Sequence, residues 1–127
     1  MTSTIDQFVR QAASREGEGL ALTDAPNRPD FFPGEPHRLT WSEVDQTVDS
    51  LAALLLELGA RPGVGVAVQL PNVVELVLVI LACARLGAVV VPFPVQHRNH
   101  ELRHGLGLSR AQIMVTGNRP DRPDQVE

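Results

Sequence analysis

At 127 residues the chain is long enough for one domain with a real hydrophobic core and too short for two. Hydrophobic residues at 43% and charged residues at 20% are the balance of an ordinary globular protein, and a net charge of −4 with eleven dispersed basic residues argues against a nucleic-acid surface. The single cysteine, Cys83, excludes an intrachain disulfide, fits a reducing compartment, and has apolar neighbours that predict a packing role.

The first residues, Met1 to Asp6, lack the charged-then-apolar order of a signal peptide. The longest apolar run, Leu76–Ala84, falls short of the ~20 residues that a bilayer crossing needs. The expectation is a cytoplasmic chain without a membrane span. Ile5, Phe8, Val9, Ala12 and Ala13 recur at helical spacing, so a helix is expected over 4–15, ended by Gly17 and Gly19. A short strand over Leu20–Thr23 follows. The stretch Ala25–Pro36 holds four prolines and reads as a loop or hairpin connection to a second short strand at Arg38–Trp41.

The clearest helix starts at Thr40, whose capping-box partner is Glu43 three residues on. Val44, Val48, Leu51, Leu55 and Leu58 step by four and three to make one apolar stripe, and Asp45, Gln46 and Asp49 fall on the wet side. Gly59 is the expected stop, with Arg61-Pro62-Gly63 as the turn. Val64–Leu70 reads as a buried strand. Asn72 with Glu75 predicts a second capped helix start, and Val73–Ala84 is apolar nearly all round, the pattern of a buried helix ending at Gly87. Ala88–Phe93 is a strand, Asn99–Leu108 a weaker helix with Gly105 and Gly107 in it, and Gln112–Thr116 a third strand.

Strand, helix, strand, helix, strand implies an α/β fold, a parallel β-sheet with packed helices and right-handed crossovers. Ligands of such sheets sit beyond the carboxyl ends of the strands, here Gln69–Leu70, Pro92–Val95 and Thr116–Gly117. Residues 118–127 are polar without an apolar period and read as a tail or linker.

Few constellations of reactive side chains stand out. His97, His100 and His104 are three and four apart and would share a helix face, a spacing a transition metal can use. The helix is weak and nothing nearby completes the set, so solvated histidines are expected. Gly63-Val64-Gly65 precedes its strand, so it reads as a turn and not as a phosphate-binding fingerprint. Asp45 with Asp49 reads as a solvated outer face, and Asp121 with Asp124 as part of the tail. Gln69, His97 and Arg98 stand at strand ends and could border a ligand, though surface hydrogen bonding is the expected role. No catalytic, cofactor-binding or metal residue is assigned.

The segments together resemble a known family. Leu39-Thr40-Trp41-Ser42-Glu43-Val44 is similar to the first core motif of the adenylate-forming enzymes, Leu-Thr-Tyr-x-Glu-Leu. Arg85-Leu86-Gly87-Ala88-Val89-Val90-Val91-Pro92 is similar to the second, Lys-Ala-Gly-x-x-Tyr-Val-Pro. The likeness runs from about residue 5 to 117 and places the chain beside acyl- and aryl-CoA synthetases, nonribosomal peptide adenylation domains and luciferases. His97-Arg98 and Glu101 look closer to synthetases of aryl or alicyclic acids than to amino-acid adenylation domains.

The resemblance implies the N-terminal portion of the large domain of an acyl-adenylate synthetase, with 1–117 a partial subdomain and 118–127 the tail. It implies a full-length enzyme that activates a small carboxylic acid with ATP and magnesium and then forms a thioester with coenzyme A. Strand Ala88–Phe93 would back that pocket. The Ser/Thr/Gly-rich phosphate loop and the catalytic lysine lie further along the family's chain, and this sequence holds no lysine. The chain is therefore expected as a fragment, whether cloned, proteolytic or a truncated product, and inactive alone. The alternative is a non-enzymatic interaction module that associates with itself or a partner through exposed apolar surface. A third, weaker reading is a small domain that binds a ligand without chemistry.

Overall fold

The computed structural model describes residues 4–117; the expected tail, with Asp121 and Asp124, lies outside the described residues. Helix α1 (Ile5–Arg15) opens on a reciprocal cap. Thr4 Oγ1 accepts from the Gln7 amide at 3.1 Å, and Gln7 Oε1 accepts from the Thr4 amide at 2.9 Å. Strands β1 (Leu20–Thr23) and β2 (Arg38–Thr40) pair antiparallel, so the proline-rich connection closes a hairpin and carries one 3-10 turn, Arg28–Asp30. Helix α2 (Trp41–Glu57) has the expected capping box, Glu43 amide to Thr40 Oγ1 at 3.2 Å and Thr40 amide to Glu43 Oε1 at 2.9 Å. That bond from the Thr40 amide helps hold the Glu43 carboxyl below its ordinary range.

Strands β3 (Gly65–Gln69), β4 (Val89–Pro92) and β5 (Ile113–Thr116) form a parallel sheet in the order β4-β3-β5. Helices α3 (Val74–Leu86) and α4 (Asn99–Ser109) make the crossovers. The central strand β3 is buried from Val66 to Gln69, which is why it reads as a continuous run and not as an alternation. Val66 pairs with Val90 and Ile113 in register, and Val68 lies beside Val115. Those side chains meet Val44, Val48, Ala52 and Leu55 of α2 and Leu78, Val79, Ala82 and Cys83 of α3 in one core. Helices α1, α2 and α3 all pack on one another. Cys83 is fully buried and burial pushes its thiol up, so it is a packing residue as expected.

Four expectations need correction. Leu58 is 60% exposed, because it is the C-cap of α2; its place in the core goes to Ala52 and Ala60. Asp45 is half-buried and bonded to Arg85, so it is not the freely solvated group expected. Helix α3 starts at Val74 without a side-chain cap from Asn72 or Val73. Its outer side is also open, with Val77 and Ile80 exposed. The other end of α3 is as expected: Gly87 takes φ +73°, the left-handed C-cap conformation that favours glycine, and its carbonyl accepts from the Gly63 amide at 3.0 Å.

Candidate functional site

The first polar cluster lies between the hairpin and the start of α3. Arg28 and Asp24 are both buried, within and just before the proline-rich connection. Arg28 Nη1 donates to Asp24 Oδ2 at 2.6 Å and to Glu75 Oε1 at 2.8 Å, while Nη2 donates to Glu75 Oε2 at 2.6 Å. Nε and Nη2 also donate to the Pro33 carbonyl at 3.2 and 2.9 Å, and the guanidinium lies over the Phe32 ring at 5.4 Å. Asp24 in turn accepts from the His37 amide at 2.9 Å and, through Oδ1, from the Val74 amide at 2.9 Å. Thus the missing cap of α3 is supplied by Asp24, and Glu75 is turned toward Arg28.

Burial alone would push the Asp24 carboxyl up. The His37 amide, the Arg28 guanidinium and the Val74 amide outweigh it and hold the group at about 2. Hydrogen bonds to Glu75, against the cost of burial, raise the Arg28 pKa further. Among the described residues, Asp24, His37 and Glu75 are a grouping compact enough to hold a metal ion. Arg28 already lies 2.6 Å from both carboxylates, and a cation would meet that fixed positive charge. The cluster fits a guanidinium and does not fit a metal.

A second arginine joins the three helices. Arg85 Nε donates to Asp6 Oδ1 at 2.6 Å, and Nη2 donates to Asp45 Oδ1 at 2.6 Å. Asp49, expected on the wet face, is exposed there and lies 3.7 Å from Arg85. Burial would raise the Asp6 carboxyl, but Arg10 and Arg85 together lower it. Both buried arginines are thus committed to carboxylates, which makes them struts of the fold.

The carboxyl edge of the sheet holds the third cluster. Gln69 ends β3 and is 3% exposed, so its expected place on the surface is wrong. Its Nε2 donates to the Pro94 carbonyl at 3.0 Å and the His97 carbonyl at 2.9 Å. His97 is half-buried just before α4, its ring edge-on to Phe93 with centroids 6.4 Å apart. A Cβ added at Gly105 of α4 would come within 2.2 Å of the Phe93 ring, so the glycine lets the helix close on this turn. Gln69 Oε1 and His97 Nδ1 are buried without a hydrogen-bond partner among the described residues. A buried polar atom left in that state costs roughly 1–3 kcal/mol. Arg98 is exposed and its amide donates to Glu101 Oε2 at 3.1 Å. His100 and His104 are exposed on α4, one helix turn apart, and His97 precedes that helix. They form no metal-holding group with His97 among the described residues. Gly63 has φ +85° in the turn before β3, as expected. Beyond β3 and β5 lies an apolar pocket of about 330 Å³ lined by Phe32, Leu51, Leu70, Val115 and Thr116 among others.

Sequence reasoning missed Asp24, Arg28 and His37. The available signal was an aspartate and an arginine four apart inside a proline-rich connection, where charge needs no burial. Thr4-x-x-Gln7 carried a readable cap that was also passed over.

Comparison with known proteins places this arrangement. The profile of the family described as AMP-binding enzyme matches residues 9–127. A salicyl-AMP ligase / salicyl-S-ArCP synthetase of Mycobacterium tuberculosis is 36% identical over 115 residues, covering 91% of this chain and 20% of that protein. A 2-hydroxy-7-methoxy-5-methyl-1-naphthoate–CoA ligase of Streptomyces carzinostaticus is 35% identical over 112 residues, 88% of this chain and 18% of its own length. The solved N-terminal domain of FACL13 from Mycobacterium tuberculosis superposes with a TM-score of 0.79 at 25% identity, covering 91% of this chain and 27% of that one. The chain spans about a fifth of the length of these curated relatives.

Proposed function

The chain belongs to the AMP-binding enzyme family, and from that premise we propose that it works as the N-terminal part of an ATP-dependent aryl or acyl acid ligase. In that reaction a carboxylate oxygen attacks the α-phosphorus of ATP and releases pyrophosphate. The acyl group of the adenylate then passes to the thiol of coenzyme A and AMP leaves. The observation that carries the reading is the 36% identity, over nearly all of this chain, to a protein named for forming salicyl-AMP. The naphthoate–CoA ligase supports an aryl acid as the substrate class.

This chain's own contribution is scaffold. The first core motif folds as the cap of α2, and the second as the end of α3 with strand β4. Chemistry on phosphates depends on neutralising their charge, which magnesium and a lysine supply in enzymes of this kind. The sequence has no lysine, and the carboxylates Asp24 and Glu75 already hold Arg28. The chain alone is therefore expected to give no ATP–pyrophosphate exchange with salicylate or other aryl acids; exchange above the enzyme-free rate would overturn this. The scaffold role has its own test. Grafted in place of the matching stretch of the salicyl-AMP ligase, the chain should restore salicylate-dependent exchange, and a folded but silent chimera would count against the reading.

A second reading rests on an apolar groove of about 330 Å³ between α1, the hairpin, α2 and α3, lined by Ile5, Phe8, Trp41, Val77 and Leu81 among others. Ile5 and Phe8 are 61% and 60% exposed on its rim. Such a surface supports association with another copy or a partner chain.

A further inference from the structure

Strand β4 runs out through Pro92-Phe93-Pro94, and the two prolines bring no amide hydrogens to the carboxyl edge of the sheet. The Phe93 amide is spent on the Val68 carbonyl at 2.8 Å, and the His97 amide on the Pro94 carbonyl at 3.1 Å. Gln69 therefore faces a turn rich in acceptors and poor in donors. Its orientation is fixed by that imbalance. Rotating the amide would set Oε1 against the Pro94 and His97 carbonyls, three acceptors together, whereas the observed orientation gives Nε2 both of them.

With Nε2 committed, Oε1 is left buried and unpartnered among the described residues, and so is Nδ1 of His97, the residue whose carbonyl the same amide holds at 2.9 Å. Phe93 packs edge-on against the imidazole, and Gly105 lets α4 press on Phe93. Native interiors pair such atoms with an ordered water or a ligand hydrogen.

We propose that Gln69 Oε1 and His97 Nδ1 are the two acceptors of a binding niche for a small hydrogen-bond donor, either a water molecule or a primary ammonium group. A donor with two or more hydrogens satisfies both atoms at once, which a single hydroxyl does not. The niche sits where parallel sheets receive ligands, yet it stands on this chain's geometry and not on the ligase reading. It fixes the imidazole as the Nε2–H tautomer, because Nδ1 must accept.

The test uses the 127-residue chain with nitrogen-15 in histidine and glutamine. Ring correlations should show Nδ1 of His97 without a hydrogen. In plain buffer, a cross-relaxation signal between a long-lived water and the Gln69 side-chain amide hydrogens assigns water. A signal that appears only with added methylammonium chloride, from its methyl protons, assigns the ammonium. In His97→Phe, which keeps an aromatic edge against Phe93, either signal should be lost. Gln69→Met should release the tautomer preference of His97 while His100 and His104 stay unchanged. Hydrogen on Nδ1 of His97 under both conditions would overturn the proposal. So would absence of both cross-relaxation signals, or their survival in His97→Phe.

Discussion

Asp24 spends its two oxygens on a guanidinium, the His37 amide and the Val74 amide, from a position with no exposed side-chain surface. Its carboxyl is held at about 2 in the fold against an ordinary value near 4. The stabilisation is therefore complete above pH about 4 and drains away as the pH falls through about 2, a difference of about 2 kcal/mol. Urea midpoints of the parent chain should drop across that window, and those of Asp24→Asn should be flat in comparison. At neutral pH, Asp24→Ala is expected to cost about 3 kcal/mol, since it strips a partner from a buried guanidinium and the cap from α3. Arg85→Met should cost less, about 1 kcal/mol, although Arg85 is nearly as buried. Its partners Asp6, Asp45 and Asp49 keep side-chain exposures of 17%, 33% and 76%, Asp6 also holds Arg10, and water takes over much of their charge when the arginine goes.

Helix ends decided how much of the architecture could be read from the amino acids alone. Both ends of α2 and the C-terminal end of α3 rest on residues within a few positions, so Thr40, Glu43, Gly59 and Gly87 were sufficient to place them. Thr40→Ala should cost about 1 kcal/mol in chemical denaturation through loss of the hydroxyl acceptor. Gly87→Ala should cost a similar amount through backbone strain at φ +73°. The parallel sheet with helical crossovers was equally legible, because three apolar strands alternating with helices leave few other arrangements. The start of α3 was not. Its acceptor comes from fifty residues upstream, and no window around Asn72 contains it. Gln69 failed for a related reason. A glutamine closing a strand looks like a surface residue until the turn at 93–97 and α4 fold over it, and those are separated from it by the whole of α3. Leu58 kept the right period, but the helix stopped before its side chain could turn inward.

Helices α1, α2 and α3 pack on one another in one core with the three-stranded sheet and leave an apolar groove between themselves and the hairpin. If the groove binds another copy, light scattering should show a mass rising with concentration above the 13.8 kDa of one chain. Ile5→Ser with Phe8→Ser should return it to one chain, because both side chains stand on the groove's rim. A parent chain that stays at a single-chain mass at all concentrations would leave the scaffold reading without this rival.

The bond from the Val74 amide to Asp24 also sets an order of events. As the polypeptide leaves the ribosome, the hairpin is already outside when α3 is made, so the acceptor waits for the helix and not the reverse. A copy beginning at Thr40 would retain every strand of the parallel sheet, yet its first crossover helix, α3, would open at the first turn for want of a distant oxygen. Removing the hairpin would thus be felt at Val74 and Glu75, inside the sheet's own connection. The small antiparallel pair supplies the α/β layer with the oxygen that closes the first turn of α3.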